Sequence, residues 1–235
     1  MSYRHQFVEP FCDQAGDLPL GKVVCVGRNY AEHAKELNNA IPATPMLFIK
    51  PATSVVGLET PISIPQDKGR CHHELEVSVL IGKTLVNATA EESKQAVIGY
   101  GLGLDLTLRD VQDRLKANGH PWEAAKAFDG ACPLSQFIPA AEISNPLTLN
   151  LTLERNGQLQ QQGNTAEMIT GIFELIAYMS TMFTLLPGDV VMTGTPAGVG
   201  PLLAGDQLVL TLFDSALKES GGFEGYRFNV LVGNS

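Results

Sequence analysis

Apolar residues recur along this chain in short bursts, and most of the bursts have the spacing of strands. Residues 22–26 (KVVCV) and 46–51 (MLFIKP) are brief apolar runs, the second closed by proline, as buried strands are. The stretch 147–163, LTLNLTLERNGQLQQQG, alternates, with Asn156-Gly157 where a type I′ hairpin turns. Residues 187–200 (PGDVVMTGTPAGVG) read as turn, strand and glycine-rich loop, and 204–213 and 225–233 as two further strands. Helical signals are fewer. A polar helix starts near Tyr30 and closes before Asn38-Asn39 and Pro42. Thr89 and Glu92 have capping-box spacing for a helix running to about Gly99. Leu108, Val111 and Leu115 fall on one helix face, stopped by Gly119, and 122–128 forms one more short helix after Pro121. Thr165 is expected to cap a long helix to about Phe183, with Met168, Ile169, Ile172, Leu175, Ile176 and Met179 on its apolar side.

Strands and helices do not alternate as βα units, and neither an internal repeat nor a low-complexity linker divides the chain. The expected fold is α+β, mainly β, as a single domain over residues 1–235. Glycines at 99, 101 and 103 predict close backbone packing just before a polar patch. CHHELEVSVLIGK, 71–83, reads as one strand, yet it carries Glu74 and Glu76 two residues apart. Period two puts both carboxylates on one face, and if that face is buried they need a cation or a proton between them.

Composition narrows the field. The 235 residues are 44% hydrophobic and 17% charged, with a formal net charge of −9. A basic field that would attract phosphates is missing, which argues against nucleic-acid binding. Cys12, Cys25, Cys71 and Cys132 lack metal-ligand spacing and read as free thiols. The first residues, MSYRHQFVEPFCDQ, do not resemble a signal or transit peptide, and Glu174 interrupts the most apolar stretch, 171–183. The expectation is a cytoplasmic protein without a membrane partner.

Glu74, Glu76 and Asp105 supply carboxylates from apolar surroundings, and oxygen ligands suit Mg²⁺, Mn²⁺ or Ca²⁺ better than zinc. A solvated strand face for the glutamates and a turn cap for Asp105 explain the same residues without a metal. Of His72 and His73, which face opposite ways on a strand, only His72 shares the glutamates' parity. His33 and Glu36 lie at i,i+3, either as an exposed helix pair or as a dyad in which the carboxylate orients the imidazole. Lys126 or Arg109 would offset negative charge, and Arg109 and Gln112 are i,i+3 donors. The TGTPAGVG loop reads first as a tight turn, although its hydroxyls and N–H groups suit a carboxylate. Trp122 reads as packing, and Met168 and Met179 as core.

Six segments in order resemble the fumarylacetoacetate hydrolase family: VGRNYAEHAKE, LFIKPATSVVG, HHELEVSVLIGK, GYGLGLDLTLRDVQ, PWEAAKAFDGACPLSQFIP and GDVVMTGTPAGVG. They fall between about 22 and 200, within a motif-bearing core of about 22–212. The resemblance is to the small acylpyruvate hydrolase and oxaloacetate-processing members, without the separate N-terminal domain of the large fumarylacetoacetase. Where many relatives read Asn-Asp-Val-Ser, this chain has Leu104-Asp105-Leu106-Thr107, a version frequent in that small branch.

The resemblance implies a mixed β-sandwich roll of the fumarylacetoacetase C-terminal-domain type, with short helices and a lid segment, usually as a homodimer. It implies Glu74, Glu76 and Asp105 as ligands of Mg²⁺ or Mn²⁺, with Ca²⁺ an ion the same oxygens accept in a crystal. It makes His33, Glu36 and Lys126 catalytic, and Arg28, Asn29, Arg109, Gln112 and Thr195 substrate-binding. The first expected activity is metal-dependent hydrolysis of the C–C bond of 3-acylpyruvates such as acetylpyruvate or a fumarylpyruvate-like compound, giving pyruvate and a carboxylic acid. The alternative is keto–enol tautomerisation or decarboxylation of oxaloacetate, and the third reading is a fold that only binds a carboxylate metabolite. The expected partner is accordingly a small 2-oxo dicarboxylate or acylpyruvate.

Overall fold

A computed structural model describes residues 3–15, 18–214 and 225–234. The fold is mixed α+β, dominated by curled β-sheet with short helices. Among the described residues an eight-stranded sheet runs Met46–Lys50, Val23–Gly27, Val190–Met192, Leu75–Ile81, Val97–Leu104, Cys132–Leu134, Val55–Gly57, with Ile138–Pro139 also beside Val97–Leu104. A five-stranded sheet runs Gln158–Asn164, Leu149–Arg155, Gln207–Asp214, Tyr226–Asn234, Ile62–Ile64. A small third sheet holds Cys71–His73 between Gly200–Pro201 and Thr107–Leu108.

The two kinds of apolar pattern take two kinds of place. Leu75–Ile81 is buried at every position, so its run is continuous because both faces are covered. In Leu149–Arg155, Leu149, Leu151 and Leu153 are buried while Asn150, Thr152 and Glu154 are partly exposed, as alternation requires. Asn156 and Gly157 turn that hairpin with φ of 53° and 76°, the signs a type I′ turn needs. The glycines of Val97–Leu104 do allow close packing: a Cβ on Gly103 would lie 2.8 Å from both Leu134 and Met192.

Three expected boundaries move. The 71–83 strand divides at Glu74 into Cys71–His73 and Leu75–Ile81, which pair in different sheets. At the break, the Glu74 carbonyl accepts the Asp105 N–H (2.8 Å) and the Leu75 N–H donates to the Gln161 side chain (3.0 Å). The helix capped by the Thr89–Glu92 box ends at Ala96, because Val97 already enters its strand. The long helix from Thr165 is only Ile172–Met182, preceded by a single 3₁₀ turn, Thr165–Glu167, whose cap is Asn164. Backbone groups of 169 and 170 that would continue a helix are taken by Asn29: the Ile169 N–H donates to its carbonyl and the Thr170 N–H to its Oδ1. The methionines at 168 and 179 are buried, as core residues should be. Among the described residues, no helix is long and apolar enough to cross a membrane.

Gln161 ties the two large sheets together. Its Oε1 accepts the Leu75 N–H, lies 2.9 Å from His73 Nδ1, and its Nε2 donates to Thr195 Oγ1 (2.8 Å) and the Pro196 carbonyl (3.0 Å). Replacing it by methionine keeps the volume and leaves several buried polar groups unpaired. The expected result is a loss of about 1–3 kcal/mol in urea unfolding; an unchanged midpoint would show that these groups find other partners.

Candidate active site

The strand break and the turn after Val97–Leu104 bring three acids together. Glu76 sits opposite Gly103 in the antiparallel register, Glu74 lies at the break one residue before Leu75, and Asp105 follows Leu104. Each offers an oxygen within 4.8 Å of the other two, and all three residues are buried. The solvated-face and turn-cap readings therefore fail. Neither His72 nor His73 belongs to this group. His73 faces Gln161, and both ring nitrogens of His72 are buried without a hydrogen-bond partner.

Three cations meet the acids. Lys126, from the short helix Glu123–Lys126, donates to Glu74 Oε2 (2.8 Å) and Asp105 Oδ2 (2.5 Å). Arg109, first residue of the helix Arg109–Ala117, bonds Glu74 Oε1 through one guanidinium nitrogen and Gln112 Oε1 through another (2.6 Å). Lys50, fully buried at the end of Met46–Lys50, donates to the carbonyls of Lys126 and Ala131 and lies 2.7 Å from Asp105 Oδ1. That last contact is an ion pair without hydrogen-bond alignment, so Oδ1 keeps an unfilled buried acceptor.

Electrostatics separates the acids. Burial alone would raise the Glu74 pKa, but Lys126, Arg109 and His33 together hold it well below the ordinary carboxylate value. Burial and the neighbouring Asp105 push Glu76 well above it, against the Gly194 N–H that Glu76 accepts at 2.6 Å. Burial would lower Lys126, and Asp105 and Glu74 overcome it and raise its pKa. Three hard oxygen donors, one with an open acceptor and one glutamate driven toward its neutral form, fit a divalent cation, which would restore the Glu76 charge.

The His33–Glu36 pair stands at the same cleft. On the helix Ala31–Glu36, Nδ1 of His33 lies 3.4 Å from Glu36 Oε2. Glu36 in turn accepts the Gly198 N–H (3.1 and 3.2 Å), which links this helix to the glycine-rich loop. His33 is 5% exposed, so the surface-pair reading fails too. Burial lowers its pKa against the pull of Glu74 and Glu36, leaving a neutral ring with Nε2 as the basic nitrogen.

The cleft measures about 380 Å³ including space open to solvent, and Arg28, His33, Arg109, Gln112, Lys126 and Thr195 all line it with the three acids. Asn29 does not. Its amide donates to the carbonyls of Thr170 (3.0 Å) and Thr193 (2.9 Å), holding the base of the loop instead of facing the cleft. Gly194 makes that loop: its φ is +96°, and a Cβ there would lie 2.7 Å from Asn29. Arg28 holds a left-handed φ of 61° at the end of its strand. Sequence reasoning missed Lys50, whose only signal was a lysine closing an apolar strand before proline, and Gln161, one of three consecutive glutamines. Trp122, read as packing, packs on Phe48 and also lines the cleft.

Comparison with known proteins agrees with this geometry. The family described as fumarylacetoacetate (FAA) hydrolase C-terminal matches residues 22–223. The chain is 58% identical over 196 residues to oxaloacetate tautomerase YcgM of Escherichia coli, covering 83% of this chain and 90% of that one. It is 44% identical over 186 residues to the mitochondrial oxaloacetate tautomerase of Homo sapiens, covering 79% and 84%. The crystal structure of fumarylpyruvate hydrolase from Pseudomonas aeruginosa in complex with Mn²⁺ and pyruvate superposes with a TM-score of 0.87 at 32% identity, covering 100% of this chain and 97% of that one. The chain belongs to the fumarylacetoacetate hydrolase family, and its chemistry is metal-associated C–C bond cleavage or isomerisation.

Proposed function

We propose that this cleft interconverts the keto and enol forms of oxaloacetate, with Mg²⁺ or Mn²⁺ held by Glu74, Glu76 and Asp105. The observation that carries the reading is a buried neutral base, His33, on the same cleft as a three-carboxylate cluster. This reverses the order drawn from sequence alone, in which acylpyruvate hydrolysis came first. The tautomerases are the relatives of higher identity, and the fumarylpyruvate hydrolase stands well below them.

Tautomerisation asks little of a site: a proton leaves C3 and arrives at the 2-oxygen. A divalent ion, when bound, supplies Lewis-acid polarisation of the 2-oxo group. His33 Nε2 takes the C3 proton, holds it, and returns it at oxygen. Glu36, fixed by the Gly198 N–H, orients the ring and steadies the imidazolium between the two transfers. Arg109 and Lys126 hold the Glu74 pKa low, and Lys126 also bonds Asp105; both add positive charge beside the developing enolate. Thr195, oriented by Gln161, offers a hydroxyl to a substrate carboxylate.

Acylpyruvate hydrolysis is the second reading, favoured by the likeness to the Mn²⁺- and pyruvate-bound structure; there His33 would deprotonate water instead of C3. Ultraviolet absorbance with Mg²⁺ or Mn²⁺ present separates the readings. Loss of enol-oxaloacetate without pyruvate, abolished by chelator, is the expected result. Metal-dependent pyruvate from acetylpyruvate at a higher rate would make hydrolysis the main activity, and pyruvate from oxaloacetate alone would mean decarboxylation.

A further inference from the structure

We propose that Lys116 and Arg28 form a second carboxylate subsite at the cleft, which takes the far carboxylate of a four-carbon dicarboxylate. The subsite makes the protein prefer dianions over 2-oxo or 2-hydroxy acids with an uncharged tail. The inference rests on the oxaloacetate reading for its natural ligand, but not for its test.

Arg109, Gln112 and Lys116 stand at i, i+3 and i+7 on the helix Arg109–Ala117, so one helix face supplies three of the residues that line the cleft. The first two are engaged: Arg109 bonds Glu74 and Gln112. Lys116 is not. Among the described residues no carboxylate lies within 4.0 Å of its ammonium, which sits 5.4 Å from the centre of the Trp122 ring. Arg28, which also lines the cleft, has a long 3.4 Å contact to the Ala40 carbonyl and likewise no ion-pair partner among the described residues. The inner cations are each paired, Lys50 with Asp105, Arg109 with Glu74 and Lys126 with both, whereas neither outer cation has an ion-pair partner among the described residues.

Two like charges on one cleft repel unless something negative comes between them. Burial lowers the Lys116 pKa, and Arg109 and Arg28 lower it further against the opposing pull of Asp113 and Glu74, so the ammonium stands in the field of two other cations. In a chain of net charge −9 these two cations have no ion-pair partner among the described residues, and both line the cleft. The Trp122 ring beneath the ammonium steadies it without neutralising it.

The test uses malate and lactate, unreactive acids with the same 2-hydroxy-carboxylate head and either a carboxylate or a methyl tail. Calorimetric titration of the Mn²⁺-loaded protein is expected to show malate favoured over lactate. In Lys116→Gln the preference should shrink by about 10- to 100-fold, the worth of a charge-assisted hydrogen bond. Lactate and Mn²⁺ affinities should stay as in the wild type. Lys116→Arg keeps the charge and should keep most of the preference, which separates lost charge from lost folding. Equal malate and lactate affinity in the wild type, an unchanged preference in Lys116→Gln, or an equal loss of both ligands would each overturn the proposal. Because no turnover is read, these outcomes stay separate from failure of the oxaloacetate assay.

Discussion

Asp105→Asn is expected to lose divalent-ion binding and about 3–5 kcal/mol of stability together, while Glu76→Gln loses the ion but little stability. Both variants are isosteric, so the contrast comes from charge. Asp105 is what Lys50 and Lys126 share: Lys50 is fully buried 2.7 Å from Oδ1, and Lys126 donates to Oδ2. With asparagine there, Lys50 retains only carbonyl oxygens, and a buried ammonium without its anion is expensive. Glu76 already tends to its neutral form because burial and Asp105 oppose its charge. A glutamine costs the metal-free protein little, and its carbonyl can still accept the Gly194 N–H. Urea unfolding in chelator, beside Mn²⁺ titration, reads both effects. The wild type should gain stability on adding Mn²⁺ by mass action, and neither variant should. Equal destabilisation of the two variants would mean that Glu76 is ionised in the metal-free site, against this account.

That charge logic was only half legible in the chain. Local chemistry reads well. Asn156-Gly157 announced its turn because two positive φ angles suit those residues, and Thr89 with Glu92 announced a cap because both bonds close within four residues. The acids stood out because carboxylates in apolar strands need a reason. Lys50 and Gln161 did not, because their roles exist only across 55 and 34 positions, to Asp105 and Thr195. The missing stretch of helix after Thr165 failed for the same cause. Its apolar spacing is helical, but Asn29, far away in sequence, claims the 169 and 170 N–H groups. Nor could the period-two rule foresee the break at Glu74, since what interrupts the strand is the Asp105 N–H arriving from another segment. The rule nonetheless led to the correct partners, because the break leaves both glutamates facing one cluster. Asn29, which the resemblance implies binds substrate, shows the complementary limit: a motif marks that a residue matters, and its hydrogen bonds here show it holding the Thr170 and Thr193 backbone.

His33→Gln is expected to lower kcat for oxaloacetate tautomerisation by about 10²- to 10⁴-fold, the usual contribution of a positioned base, with Mn²⁺ affinity unchanged. Among the described residues the ring's hydrogen-bond partner is Glu36, not one of the three acids. The pH profile tests the same residue in a second way. Burial lowers the His33 pKa, so the base is neutral at pH 7, and the acid limb of kcat/KM should fall below the ordinary histidine value of about 6.5. Glu36 raises that pKa, hence Glu36→Gln should move the acid limb to still lower pH while it slows the reaction, since the ring loses its orienting partner. An acid limb that stays in place, or moves up, would remove His33 as the titrating base. The three chemistries also diverge at this position. Tautomerisation and hydrolysis both need a proton taken, from carbon or from water, and both should collapse in His33→Gln. Decarboxylation of oxaloacetate releases its carboxylate carbon as CO₂ without a base, and any such side activity should survive. A variant that no longer exchanges the keto and enol forms but still yields CO₂ would place His33 at the proton and the acidic cluster at the enolate.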